Sequence, residues 1–167
     1  MKAGDDASRA TDAIASNAVD LLAYFERRAP KDDAADLLAE TMMTAWRRFQ
    51  DLPRDETEAR MWLFGIARNT LANAERTERR RWRLANRLRL LLEPAETGSA
   101  EDGSDVRDAV ARLDPELGEL VRLVHWDGFS IAESAKILGL TASTARSRYQ
   151  RAKAELRSTL TPTVANG

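Results

Sequence analysis

Apolar residues along the chain recur at spacings of three and four, and the alternating stretches that form strands are nearly absent. One such set lies on a single side of a helical projection: Ala34, Leu38, Met42, Ala45 and Phe49. Alanine, leucine, arginine and glutamate, which favour helices, dominate the composition. The pattern therefore predicts an all-helical protein.

Capping and helix-breaking residues place the first helices. The first is expected to begin near Ser16, after a flexible N-terminus at residues 1–15, and to end before Pro30. The pair Asp32–Asp33 can cap a second helix, which ends at Leu52–Pro53. Two helices are therefore predicted before residue 53.

A third helical stretch is unusually long. Thr57 can cap it, and it can continue to about Leu92 without meeting a proline. A straight helix of this length would span roughly 54 Å, which is long for a small domain. We therefore expect a bend or break at Gly65 or near Thr77.

A segment with almost no apolar residues separates two units. Residues 93–105 read EPAETGSAEDGSD, a composition of proline, glycine, serine and acids that is typical of a linker. This flexible acidic linker joins a domain at residues 16–92 to a second domain at residues 106–160, which a tail at residues 161–167 follows.

The second domain carries strong capping patterns. Asp114–Pro115 places a cap before a proline at the first helical position, and Ser130–Glu133 has the spacing of a capping box. Gly139 stands where a left-handed residue ends a helix, and Thr141 or Ser143 can cap the next one. A short helix, a glycine turn and a longer basic helix predict a helix-turn-helix. The predicted fold class is all-α, with two small helical domains.

The charge distribution is uneven although the formal net charge is only −1. Residues 61–91 hold eight basic and two acidic side chains, and residues 146–157 hold five basic and one acidic. The remaining segments are acidic. Basic clusters at defined places are typical of nucleic-acid binding, although solvated helix faces would give the same charge pattern.

The last helix has the pattern of a DNA-recognition helix. A narrow stripe is expected to pack inward: Ala145, Tyr149, Ala152 and Leu156. Short polar groups that approach base edges and basic groups that hold bases or phosphates occupy the other faces. These candidate DNA-binding residues are Ser143, Thr144, Arg146, Ser147, Arg148, Gln150 and Arg151. The alternative is a two-helix packing motif with a solvated basic face.

Three stretches resemble a known family. Residues 33–47, residues 59–69 with the arginine-rich tract after them, and residues 129–156 resemble, in the expected order, bacterial RNA polymerase sigma factors of the extracytoplasmic-function (ECF) group. The resemblance covers about residues 17–158. It implies a factor that binds core RNA polymerase, recognises the −35 and −10 promoter elements and promotes DNA melting.

The resemblance implies a role for each stretch. The first would dock on the clamp of the polymerase β′ subunit through Asp36, Glu40, Met43 and Arg47. The second would hold the −10 element and single-stranded DNA through Arg68, Asn69, Arg76, Arg79, Arg80, Arg81 and Arg83. The loop Asp51–Arg60 would help to hold a flipped −10 base, and the candidate residues of the last helix would contact the −35 element. An anti-sigma partner is also implied.

The aromatic residues support different expectations. Trp46 and Trp62 lie in apolar helical patterns, so both are expected in the core. For Trp82, stacking on DNA and covering the domain edge both remain open. His125–Trp126 ends an apolar run and is expected to pack.

The composition argues against other classes of function. The chain has no cysteine and one histidine, so we expect no metal site, no cofactor and no enzyme activity. No apolar run is long enough to span a membrane, and the expected location is the cytoplasm. Two alternatives remain: a dimeric helix-turn-helix repressor, or a small helical enzyme or adaptor with carboxylates Asp32, Asp33 and Asp36.

Overall fold

The computed structural model describes residues 2–89, 91 and 105–161, and these residues form two separate helical units. Within those ranges no residue belongs to a β-strand. The predicted all-α fold class is therefore confirmed. The predicted linker lies outside the described residues except for Asp105, and so does the predicted tail except for Thr161.

The described residues of the first unit form three helices and a short 3-10 turn. Its elements are α1 (Lys2–Glu26), α2 (Lys31–Arg47), the 3-10 turn (Phe49–Asp51) and α3 (Glu56–Arg89). Aromatic side chains form the centre of the core, where the Tyr24 ring meets Phe64 edge to face at a centroid distance of 5.5 Å. Each helix contributes fully buried side chains, so the three pack around one apolar centre.

Helix α1 begins at Lys2, and the predicted start near Ser16 after a flexible N-terminus is wrong. Ala10, which is 2% exposed, packs in one cluster with Leu52 and Ala59. In addition, the Arg9 guanidinium donates to the Pro53 carbonyl at 3.1 Å. The early turns of α1 are ordered because alanine is small and lets the distant loop at Leu52 pack closely against the helix. The periodicity of apolar residues along α1 does not predict this contact.

Helix α2 differs from its prediction in cap and in register. Pro30 occupies the N-cap position without a side-chain hydrogen bond, so Asp32–Asp33 lies within the first turn instead of capping it. There the carboxylates still favour the helix dipole. The buried stripe is Ala34, Leu37, Thr41 and Ala45, whereas the predicted core residues Leu38, Met42 and Phe49 are half-buried. Thr41 tolerates burial because its hydroxyl donates to the Leu37 carbonyl at 2.8 Å.

Helix α3 is continuous from Glu56 to Arg89, so the break expected at Gly65 or near Thr77 is absent. Its cap is Asp55, not Thr57, because the Asp55 carboxylate accepts from the Glu58 amide at 2.9 Å. The last buried residue on α3 is Leu71, and no described side chain between residues 75 and 88 is buried. The second half of this helix therefore lacks a packing partner among the described residues.

The described part of the second unit, residues 105–161, contains four helices. They are α4 (Asp105–Arg112), α5 (Pro115–His125), α6 (Ile131–Leu138) and α7 (Ala142–Leu160). One apolar cluster joins Val110 and Val121 to Ala152, and another joins Leu120 and Ala135 to Ala145. The inward face of α7 therefore packs against all three preceding helices.

The predicted caps of the second unit are confirmed. Ser130 accepts from the Glu133 amide at 3.1 Å, and Asp114 accepts from the first turn of α5. Gly139 has φ +68°, and the following Leu140 amide donates to the Ala135 carbonyl at 2.8 Å. This is the Schellman arrangement, which turns the chain sharply between α6 and α7. The helix-turn-helix is therefore present as predicted.

Candidate nucleic-acid and partner interfaces

Helix α7 separates an inward stripe from an outward polar face. Ala145 and Ala152 are completely buried, and Tyr149 and Leu156 are half-buried, so the predicted inward stripe is confirmed. Five of the predicted DNA-binding side chains are exposed: Ser143, Arg146, Ser147, Gln150 and Arg151. Thr141 caps the helix by accepting from the Thr144 amide at 3.2 Å. The N-terminal turns of α7 thus present short polar groups to solvent.

Three predicted DNA-binding residues are more constrained than the sequence suggests. Arg151 Nε lies 3.1 Å from Glu155 Oε1 on the next turn of α7. Thr144 is half-buried. Arg148 Nη1 lies 2.8 Å from Glu116 Oε2, so its guanidinium is directed towards the first turn of α5. Arg146, in contrast, forms no ion pair with any described residue, which leaves its charge available on the outward face of α7.

A second contact joins α7 to α5 through aromatic rings. His125 Nε2 lies 2.8 Å from the Tyr149 hydroxyl, and the two rings stack at 5.9 Å. The Lys153 ammonium lies 5.6 Å from the Tyr149 ring centroid. His125 therefore packs, as predicted, although its ring stays exposed and holds the side of the recognition helix.

The residues predicted for polymerase binding lie together on one exposed face of α2. Asp36, Glu40, Met43 and Arg47 have spacings of four, three and four, which place them along one side of a helix. Met43 is 55% exposed. None of the three charged members forms a salt bridge with a described residue. The face is thus a mixed apolar and charged surface without an intramolecular partner in the described chain.

Trp46 extends this face, and its predicted core position is wrong. It is 47% exposed and stacks on Phe49 at a centroid distance of 5.9 Å. The register of α2 explains this exposure. Ala45 belongs to the buried stripe, so Trp46, one residue later, lies beside the core and not inside it. Trp62, which was also predicted in the core, is half-buried and packs on the cluster around Leu52, as Phe49 does.

The residues predicted for the −10 element are all exposed on α3. By helical register, most of them line the side of α3 that faces away from the core: Arg68, Asn69, Arg76, Arg79, Arg80 and Arg83. Arg81 lies on the side that continues the buried stripe. Trp82 is 58% exposed, which leaves most of its indole accessible.

A cavity of about 670 Å³ lies between α1 and the loop before α3. Loop residues Leu52, Pro53 and Arg54 line one side, and Asp12 and Ser16 from α1 line the other. The family resemblance implied a role for this loop, whereas a wall from α1 was not expected, because residues 1–15 were placed in a flexible segment.

Comparison with known proteins decides the family. The Sigma-70 region 2 family matches residues 13–81, and the Sigma-70 region 4 family matches residues 104–156. The ECF RNA polymerase sigma factor SigL of Mycobacterium tuberculosis is 30% identical over 131 residues, which are 76% of this chain and 74% of SigL. The chain belongs to the ECF RNA polymerase sigma factors. The resemblance inferred from the sequence is confirmed, and the protein is a promoter-recognising factor that works with core RNA polymerase.

Further relatives support the same assignment. This ECF sigma factor is 32% identical over 129 residues to EcfG of Rhodopseudomonas palustris, covering 75% of this chain and 70% of EcfG. The solved structure of RpoE from Bartonella quintana, bound to the anti-sigma factor NepR, matches with a TM-score of 0.64 and 25% identity, covering 92% of this chain and 94% of RpoE. CnrH, bound to the cytosolic domain of CnrY, matches with a TM-score of 0.65 and 25% identity, covering 95% of this chain and 94% of CnrH.

Two further features are absent from the described residues of this ECF sigma factor. No helix among them is long and apolar enough to cross a membrane. No group of three or more histidine, aspartate or glutamate side chains in the same residues could hold a metal ion.

Proposed function

We propose that the two units divide promoter recognition between them. The first unit binds core polymerase through α2 and the −10 element through α3, and the second unit binds the −35 element through α7. The observation that carries this proposal is the outward face of α7, where Ser143, Arg146 and Ser147 are exposed at the start of a capped recognition helix. The chain itself is not an enzyme. It acts in the cytoplasm, where its polymerase partner catalyses RNA synthesis.

The polymerase-binding surface is proposed to be centred on Met43 and Trp46. Interfaces concentrate binding energy in exposed apolar and aromatic anchors that charged residues surround. Asp36, Glu40 and Arg47 supply such a charged rim. We assign this surface to the clamp of the polymerase β′ subunit, in agreement with the resemblance of α2 to the clamp-binding helix of the family.

The −10 surface is proposed to combine charge with a base-sized cavity. Opening duplex DNA costs about 1–2 kcal/mol per base-pair step, which binding of the released strand must offset. The exposed arginines of α3 can bind backbone phosphates, and the Asn69 amide can pair with a base edge. The cavity beside the loop Asp51–Arg60 is large enough for one flipped base, and Asp12 and Ser16 offer polar groups to its edge.

The −35 surface is proposed to use the outward face of α7. Arg146 and Gln150 have side chains long enough to reach base edges, while Ser143 and Ser147 let the helix approach closely. Thr144 contributes mainly through the cap. Arg148 can bind a phosphate only by exchanging its Glu116 partner for it.

A regulatory partner is part of the proposal. The solved structures of RpoE and CnrH contain NepR and the cytosolic domain of CnrY, respectively. We propose that an anti-sigma factor binds this chain as well and covers the α2 face or the α7 face. A partner on either face would block one half of promoter recognition.

Gel-shift binding separates this proposal from that of a helix-turn-helix repressor. A promoter library is incubated with the chain alone, with core polymerase alone and with both together. We expect sequence-specific retention only when both are present. Arg146→Ala is expected to weaken selection of the −35 element, while Arg157→Ala, at an exposed position near the C-terminal end of the same helix, is the matched control. Tight binding of a palindrome by the chain alone would favour the repressor.

A further inference from the structure

The first turns of α1 lie outside the part of the chain that matches the Sigma-70 region 2 family. The match begins at residue 13, whereas α1 begins at Lys2. These turns are nevertheless packed, because Ala10 is 2% exposed and shares a cluster with Leu52 and Ala59. Both partners belong to the segment that we propose to hold a flipped base. The early turns of α1 therefore form part of the surroundings of that segment.

The loop between the 3-10 turn and α3, residues 52–55, is held at both ends by its own neighbours. At one end the Leu52 amide donates to the 3-10 turn at 3.2 Å, and at the other the Asp55 carboxylate caps α3. The middle of the loop is held from α1, where Arg9 Nη2 donates to the Pro53 carbonyl at 3.1 Å. The two residues are 44 positions apart in the chain. Arg9 thus supplies a link that the local sequence of the loop does not.

A carboxylate orients the Arg9 guanidinium. Arg9 Nη1 lies 3.0 Å from Asp6 Oδ1, one turn earlier on α1, and the two side chains are 32% and 35% exposed. The other terminal nitrogen, Nη2, is the one that meets Pro53. A charged donor forms a stronger hydrogen bond than a neutral one, and a donor that is itself held in place positions its acceptor more precisely. Arg9 therefore fixes the loop at a defined distance from α1.

This hydrogen bond joins the two walls of the cavity. Arg9 lines the cavity of about 670 Å³ together with Asp12 and Ser16 of α1, while Pro53 and Arg54 line it from the loop. A site that a loop forms loses its fit when the loop shifts by about 1 Å. The width of the cavity therefore depends on the bond between Arg9 and Pro53.

We infer that Arg9 is a positioning residue for recognition of the −10 element, because it holds the loop at the distance from α1 that admits a flipped base. This inference rests on the proposed function, in which the cavity takes that base. Arg9 acts through Pro53 and does not read the base itself. Its loss should therefore reduce selectivity for the base in the cavity and leave binding to core polymerase unchanged. The competing role is a direct contact of the Arg9 guanidinium with a DNA phosphate.

The test uses holoenzyme, formed from the full chain and core polymerase, and fluorescent probes made from a promoter that the library experiment selects. The probes are duplex upstream and single-stranded at the −10 element. In each probe a different −10 nucleotide lacks its base, so the largest loss of wild-type affinity identifies the base that enters the cavity. Arg9→Met keeps the apolar stem without a donor, and Arg9→Lys retains a charged donor. The control is Arg157→Met, the same change at an exposed position of the second unit.

Loss of the critical base should weaken wild-type binding about tenfold, which is typical of one bound base. For Arg9→Met we expect this ratio to fall to about threefold, because a wall displaced by up to about 1 Å forfeits up to about half of its contact energy. Arg9→Lys should restore the wild-type ratio, since its ammonium can donate to the same carbonyl. The control Arg157→Met should also keep that ratio.

An unchanged tenfold ratio in Arg9→Met would overturn the inference. Equal weakening of every probe, intact or abasic, would also overturn it, because that result is expected of a direct phosphate contact. Loss of core polymerase binding in Arg9→Met would show that Arg9 only stabilises the fold, and the inference would again be wrong. If wild-type holoenzyme loses no affinity at any abasic position, the proposed −10 surface itself fails, and the inference fails with it.

Discussion

Arg148 and Glu116 form a 2.8 Å ion pair that ties the recognition helix to the first turn of α5. Glu116 is the more exposed partner, with 66% of its side chain accessible, so solvent screens the pair and its contribution to stability is at most about 1 kcal/mol. For the proposed −35 surface the pair matters because a guanidinium held by a carboxylate is not available to a phosphate.

Removal of Glu116 should therefore strengthen electrostatic DNA binding. In Glu116→Gln, we expect the salt dependence of holoenzyme binding to a −35 duplex to become steeper by about 0.9, because Arg148 gains a phosphate. The measurement is fluorescence anisotropy over a salt series. The double variant Glu116→Gln/Arg148→Gln is the control, and it should lose the gain. A gain that persists without Arg148 would contradict the account.

Two glycines should respond to alanine with opposite signs. Gly139 has φ +68° and no atom within 4 Å of an added Cβ, so Gly139→Ala costs about 1 kcal/mol through backbone strain alone. Gly65 lies inside α3 with equally open space, so Gly65→Ala should stabilise the first unit by about 0.5–1 kcal/mol. Thermal unfolding of the full chain, followed by circular dichroism, checks both signs. The same sign for both would contradict the backbone argument.

Two tryptophans should separate binding from stability. Trp46→Ala is expected to weaken binding to core polymerase about 30-fold, a loss of about 2 kcal/mol, because it removes an exposed anchor. Its melting temperature should stay near the wild-type value. Trp62→Ala should instead lower the free energy of unfolding by about 2 kcal/mol, because this half-buried ring packs on the cluster around Leu52. Titrations with core polymerase and melting curves on both variants check these expectations. If Trp46→Ala lost stability and Trp62→Ala lost polymerase binding, the roles assigned to the two tryptophans would be wrong.

Local features of the second unit could be predicted from the sequence. Asp114, Ser130 and Gly139 act on amides and dihedral angles within a few residues, so their types and spacing were sufficient. The exposed face of α2 and the arginines of α3 could be predicted for a similar reason, since helical periodicity determines which side chains share a side.

Features that depend on distant partners could not be predicted. The early turns of α1 are ordered because Ala10 meets Leu52 and Ala59, a contact that no local pattern shows. Trp46 was assigned to the core because it lies in an apolar helical pattern, but the buried stripe of α2 runs through Thr41 and Ala45 and leaves Trp46 exposed. The constraint on Arg148 arises from another helix, and only the packed structure reveals it.

The central claim is that the first unit binds core polymerase through α2 and the second unit binds the −35 element through α7. Mapping of RNA start sites in run-off transcription tests this claim most directly. Core polymerase is supplied with the wild-type chain, with Asp36→Arg/Glu40→Arg, with Arg146→Ala or with the control Asp5→Arg/Glu26→Arg, which reverses two exposed charges on α1. We expect the wild type and the control to start RNA at one defined position. The α2 variant should lose this transcript, and the α7 variant should retain it only at promoters with a weak dependence on −35. Unchanged, position-specific transcription with both variants would contradict the account.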